Sequence, residues 1–355
     1  MMNCRFDAKF IANQINELPN LDLPLSDLNL FQPKGVPIRN PYVDVIGMSA
    51  CLVPTSKWCC PSDAPMIKGM DKKTLGPFNI PHTILKDQID VCDIEGRIEY
   101  ALGLERGYVD ITSLLVPRAA QMRYSIEGTL AYREWMAMTR GVVLDADAQT
   151  VILDLFAKFG VSQPTVTLDT SLPDYLSLHN WAANLLKMLK YAGKGVAITG
   201  AVVAVSTLTF QKIIAQKGFA ELWKLCCDQS AKIQGAVIGD GMERQFSVGK
   251  VTFREIWEPQ YCNPFDESQN IQWAEDGIGY VIPLVGAGVE MYENLIAPRM
   301  TLDTIHKAPT DYYDYRDWDR KNMETGDVLG KGFSVEMNVL PIVKRPAMLI
   351  KVIVE

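Results

Sequence analysis

Between Ser113 and Met138, apolar side chains recur every three or four residues: Leu115, Ala119, Met122, Ile126 and Leu130, with Met138 near the same face. That spacing draws one stripe along an α-helix and no continuous face on a strand. At about 1.5 Å per residue such a helix runs roughly 40 Å. Ser113 is placed to cap it, Pro117 is tolerated in a first turn, and Gly141 is placed to end it. Arg118, Arg123, Arg133, Glu127 and Glu134 fall on its other faces. Gly128 weakens the helix by about 1 kcal/mol relative to Ala, so packing has to hold it. Two short apolar strands follow, Val142–Leu144 and Thr150–Phe156, joined by the acidic turn DADAQ at residues 145–149. The stretch Thr129 to Pro164 therefore reads as a rigid scaffold, a helix end with a hairpin beside it.

The rest of the chain organises around that scaffold. Residues 1–40 open with a short helix over Asp7–Leu18, then become irregular and rich in proline and leucine. Two readings stay open, a disordered tail or an arm lying on another surface. Residues 41–92 read as a long β-hairpin excursion. Its flanks are Tyr42–Ile46 and Phe78–Ile89, and its tip, Lys57–Lys73, is basic. Residues 171–290 read as a separate α/β unit. It has a helix over 173–191, a strand over 195–205, a helix-rich stretch over 207–227, and strands over 250–257 and 278–284. The tail from Gly332 to Glu355 is strand-rich and is expected to pair near the first hairpin.

Composition excludes several classes. The 355 residues carry a formal net charge of -7, which lacks the basic footprint of a protein that grips nucleic acid. No segment reaches the ~18 uninterrupted apolar residues of a membrane span. The eight cysteines form no C-x-x-C pair, and no N-terminal signal peptide is evident, so they read as reduced, cytosolic small hydrophobes.

Catalytic devices are equally absent from the sequence. His82, His179 and His306 show neither H-x-x-x-H nor H-E-x-x-H spacing, and no G-x-S-x-G elbow occurs. Asp145 and Asp147 do not start a calcium loop, because the twelfth position is Phe156 rather than Glu. The run GDVLGKG at 326–332 has the wrong glycine spacing for a phosphate loop and is followed by a strand. Gly286 and Gly288 lack the third glycine of a dinucleotide turn. The run Asp311–Asp319 (DYYDYRDWD) sets Tyr312, Tyr313, Tyr315 and Trp318 among charges. An interface rim and a packed loop within one subunit both suit it.

The stretch TLAYREWMAMTRGVVLDADAQTVILDLFAKFGVSQP resembles the helix–hairpin core of the phage major capsid protein E family, the lambda-type major capsid proteins. Five further blocks follow the family in order: Leu30–Pro37 (LFQPKGVP), Phe78–Ile89 (FNIPHTILKDQI), Val203–Trp223, Ala297–Ile305 (APRMTLDTI) and Gly330–Val352. The Asp311–Asp319 run and the Cys59–Cys60 doublet match nothing in that pattern. The resemblance implies an α+β, HK97-like tailed-phage capsid fold with five parts. These are an N-terminal arm (1–40), an extended β-hairpin loop (41–92), a peripheral domain with a spine helix near Leu114–Arg140 (93–170), an axial α/β domain (171–290), and a return to the peripheral domain (291–355).

The implied function is self-assembly as hexamers and pentamers into an icosahedral head around double-stranded DNA, which is enclosed without specific binding. Implied partners are further copies of the chain, a portal, and scaffold or decoration proteins. The place is the virion, after assembly in the host cytoplasm. No catalytic, cofactor or metal-binding residue is expected, and no membrane. Residues expected to meet neighbouring subunits are Lys57, Trp58, Lys68, Lys72, Lys73, Arg118, Arg123, Arg133, Tyr313 and Trp318. The alternatives are an encapsulin-like nanocompartment shell and a cytosolic α/β enzyme whose lid is residues 41–92.

Overall fold

The computed structural model describes residues 23–46, 72–90, 112–169, 171, 175–216, 244–257, 262–263, 266–271, 273–286, 288–302, 304, 307–321, 326 and 328–355. The chain order begins β1 (Gln32–Gly35), β2 (Val43–Ile46), β3 (Lys72–Leu75), β4 (Thr83–Asp90), α1 (Thr112–Thr139), β5 (Val142–Leu144), β6 (Val151–Asp154), α2 (Leu155–Phe159) and β7 (Thr165–Leu168). Next come α3 (Tyr175–Gly193), β8 (Ile198–Val205), α4 (Thr207–Ile214), β9 (Gln245–Val248), β10 (Val251–Glu255), β11 (Cys262–Asn263) and β12 (Asp266–Asn270). The chain closes with β13 (Ile278–Val285), β14 (Tyr292–Ile296), β15 (Asp314–Lys321), β16 (Val328–Met337), β17 (Val339–Val343) and β18 (Ile350–Val354). It divides into two compact units, residues 1–39, 80–132 and 294–340, and residues 40–79, 133–293 and 341–355.

In the first unit the predicted helical stripe is the core. Ala119, Met122, Ile126 and Leu130 pack with Ile89 of β4, Phe333, Val335 and Met337 of β16, and Val339 of β17. The sheet behind them runs β15–β16–β4, antiparallel throughout. α1 is 28 residues long and begins at Thr112, so Pro117 sits in its second turn rather than its first. There the proline ring removes one backbone bond to the preceding turn.

In the second unit a six-stranded sheet runs β7–β18–β13–β8–β10–β9. β8 lies near its middle, with Ala201 to Val205 buried, as a run of small and β-branched residues between two neighbours must be. β8 pairs parallel with β10 and antiparallel with β13. α3 buries Leu178, Ala182, Leu185 and Leu189 at the helical spacing the sequence shows. Ser206 caps α4, accepting from the Thr209 backbone N–H.

Several expectations need correction. The second strand of the hairpin stops at Asp154, not Phe156, because the Asp154 carboxylate accepts from the Ala157 N–H and starts α2. Gly160, at φ 67, ends that helix in the left-handed region. In the loop, β2 pairs with β3 rather than with Phe78–Ile89. Phe78 and Ile80 are buried, and β4 pairs with β16 instead. Lys72 and Lys73 therefore belong to a strand, not to the loop tip.

The tail does not join the first hairpin. β5 and β6 form a sheet of their own, while β18 enters the six-stranded sheet between β7 and β13. That sheet thus takes strands from outside residues 171–290. Of the run Asp311–Asp319, the part from Asp314 onward is a strand rather than a loop, while Tyr312 and Tyr313 just before it pack against the α1 core.

Candidate assembly surfaces

Side chains in β15, β16 and β4 alternate between two faces, and directly opposed residues share a face. The inner face carries Tyr315, Val335 and Leu85 in one row, against the α1 core. The outer face carries the rows Asp314–Glu336–Ile84, Arg316–Ser334–Lys86, Trp318–Gly332–Gln88 and Arg320–Gly330–Asp90. Two glycines in the middle strand shape that face. A Cβ on Gly332 would lie 2.3 Å from the Trp318 ring, so the glycine is what lets the indole lie over the strand. Across Gly330, the Arg320 guanidinium donates to both oxygens of Asp90, at 2.8 and 2.7 Å. At the other end Arg299 holds Asp314 at 3.1 Å and Glu336 at 3.0 Å.

These geometries sort the residues expected at interfaces. Trp318 is 41% exposed on the outer face of an edge strand. Tyr313 is half-buried against the α1 core. Arg118 is part-exposed and donates to the Gln88 carbonyl at 3.0 Å. Arg123 and Arg133 are corrections, because both are buried within the subunit. Arg123 pairs with Glu127 one helical turn on, and Arg133 donates to Asp145. Burial pushes the Tyr315 phenol above its ordinary range, against the pull of the Arg123 charge beside it. Lys72 and Lys73 lie opposite Ile46 and Val45 in the β2–β3 ribbon. Lys57, Trp58 and Lys68 lie outside the described residues.

Other surface features have no single-residue signal in the sequence. Leu302 is 97% exposed and Met300 65%. They sit on a turn tied by Thr301 N–H to Arg299 O, Thr304 N–H to Thr301 O, and the Thr304 hydroxyl to Arg299 O. Beside them a cavity of about 290 Å³ is lined by Arg39, Ile80, His82, Ala297, Pro298, Met300, Glu336 and Asn338. His82 meets Asn338 at 2.8 Å and Glu336 at 3.3 Å. On α3, Leu176 and Tyr191 are 66% and 72% exposed. In the acidic hairpin turn the Asp147 carboxylate accepts from the Gln149 and Thr150 N–H groups and the Thr150 hydroxyl. Those bonds hold its pKa below the usual carboxylate value. Among the described residues no cluster of three His, Cys, Asp or Glu could hold a metal ion. No helix there is long and apolar enough to cross a membrane.

Comparison with known proteins gives these arrangements a context. A family model for phage major capsid protein E matches residues 7–354. Comparison with curated protein sequences gives no match. Among solved structures, a protein described as the capsid protein of an E. coli CFT073 prophage is similar over 98% of this chain and 99% of its own. The identity is 10% and the TM-score 0.54. The capsid of cyanophage P-SCSP1u covers 96% of this chain and 91% of its own, at 11% identity and TM-score 0.46. The SrpI encapsulin of Synechococcus elongatus PCC 7942 covers 97% and 94%, at 12% identity and TM-score 0.40. The α+β architecture is the HK97-like fold of phage capsid proteins. With the family model matched across almost all of its residues, the chain belongs to the phage major capsid protein E family.

Proposed function

We propose that copies of this chain form hexamers and pentamers that close into an icosahedral head around the double-stranded DNA of a tailed phage. The observation that carries the reading is the family match from residue 7 to residue 354. A capsid chain works by geometry, burying surface against several neighbours at once. In this reading residues 1–40 are an arm and 41–92 a loop, each reaching a neighbour. α1 is the spine of the peripheral part, and the six-stranded sheet forms the axial part. The net charge of -7 suits a wall that encloses DNA without gripping it. A portal, and scaffold or decoration proteins, complete the assembly in the host cytoplasm. Cryo-electron microscopy of particles purified from infected or expressing cells tests this. Rings of six and five subunits around double-stranded DNA are expected. Particles filled with protein cargo would point to a nanocompartment instead.

A further inference from the structure

β15 is the free edge of its sheet, since among the described residues only β16 pairs with it. An edge strand of eight residues presents unpaired N–H and C=O groups, and charges along it decide which strand can pair there, since opposite charges across a strand pair stabilise it and like charges destabilise it. β15 carries charges of both signs. Its sequence DYRDWDRK balances Asp314, Asp317 and Asp319 against Arg316, Arg320 and Lys321. We infer that β15 pairs antiparallel with β15 of a second copy, across a two-fold axis at Asp317. The choice of a second copy as occupant rests on the capsid reading, which surrounds each chain with identical neighbours.

Charge complementarity selects the register. A two-fold axis normal to the sheet keeps every residue on its own face, so outer residues meet outer residues. With Asp317 on the axis, Asp314 opposes Arg320 twice and Arg316 opposes Trp318 twice. On the inner face Tyr315 opposes Asp319. Centring on Trp318 would set Arg316 against Arg320 and Asp317 against Asp319, like charges on both faces. Centring on Arg316 would set that guanidinium against its own copy.

In the favoured register the two ion pairs extend the charges already present within each chain. Arg299 holds Asp314, and Asp90 holds Arg320, so each end becomes an alternating row of four charges. Between those rows, each Trp318 indole, laid open over Gly332, offers its face to an Arg316 guanidinium. Asp317 against Asp317 is the one repulsive pair.

Full-length Asp314→Arg and Arg320→Asp variants test this. Each alone opposes like charges at both ends of the strand pair and is expected to assemble about tenfold more weakly than the unaltered chain. Mixed in equal amounts they restore an Arg–Asp pair at each end, and assembly should return. The in-chain partners Arg299 and Asp90 are not restored by mixing, so rescue reports the contact between copies. A second measurement does not depend on those variants. Asp317→Cys should give a disulfide-linked dimer when assembled protein is oxidised, while Asp319→Cys and the unaltered chain should not. Single charge variants that assemble normally, a mixture of folded variants that stays unassembled, or assembled Asp317→Cys protein without the dimer would each overturn the pairing. Shells of the unaltered chain, together with assembled Asp317→Cys protein that gives no dimer, would sink the pairing and leave the capsid reading intact. No shells at all would sink the capsid reading.

Discussion

Lys344, almost fully buried, shows how tightly single charges are placed in this chain. Its ammonium donates to both Glu290 and Glu293. Burial acts against the charged form, but the hydrogen bonds and charges of Glu293 and Glu290 outweigh it and raise the lysine pKa. Replacing Lys344 with Met would leave the buried Glu293 without its cation, at a cost of about 3–5 kcal/mol in unfolding free energy. Chemical denaturation of the two proteins measures it. A folded pKa above the unfolded one contributes stability below the unfolded value of about 10.4, and loses it as pH rises through the folded value. The gap between the proteins should hold steady from neutral pH to about 10 and narrow above.

Glu255 gives the opposite sign. Burial would raise its pKa, yet the Arg244 guanidinium, bonded at 2.6 and 2.8 Å, together with further hydrogen bonds, holds it below the usual carboxylate range. Its contribution is present above the ordinary glutamate pKa and is lost as pH falls through the lowered one. A Glu255→Gln variant should therefore be less stable at neutral pH and lose less on acidification. Thermal melts across the acid range would show the two proteins converging. Parallel curves would contradict this account of Glu255.

At the scale of elements, α1 joins the opening sequence feature to the packing. Ile126 is 1% exposed among β4, β16 and β17 side chains. Ile126→Ala should cost about 2–5 kcal/mol through lost burial and the cavity left behind. Equilibrium unfolding in urea measures it, and a loss below about 1 kcal/mol would mean that the stripe is not the core. The helix was legible because Ala119, Met122, Ile126 and Leu130 keep one period. Beyond Leu130 the stripe fades, because Trp135 to Met138 are all buried and no face stands out, but Gly141 still marks where the helix stops.

Arg123 and Arg133 look like surface charges in a one-dimensional pattern. Only the structure shows Glu127 and Asp145 meeting them in the interior. β3 reads as part of a basic tip because KKTL is polar, and its strand character comes from backbone pairing with β2. The run Asp311–Asp319 does not read as a strand for the same reason, since a charged edge strand such as β15 lacks the apolar alternation by which strands are recognised. The strand expected over Thr150–Phe156 stops two residues early because the capping power of Asp154 outweighs the apolar run around it.

For the whole molecule, order along the chain and order in space diverge most in the sheets. The six-stranded sheet pairs Thr165 of β7 with Lys351 of β18, strands drawn from opposite halves of the chain. The buried charges Arg123, Arg133, Glu255 and Lys344 are paired internally, while Trp318 on β15 and Leu302 stay exposed. Whether copies of this chain build shells is tested most directly by negative-stain electron microscopy of the expressed full-length protein. Closed shells or ring-shaped capsomers are predicted, and a population of compact monomers alone, at concentrations where capsid proteins assemble, would contradict it.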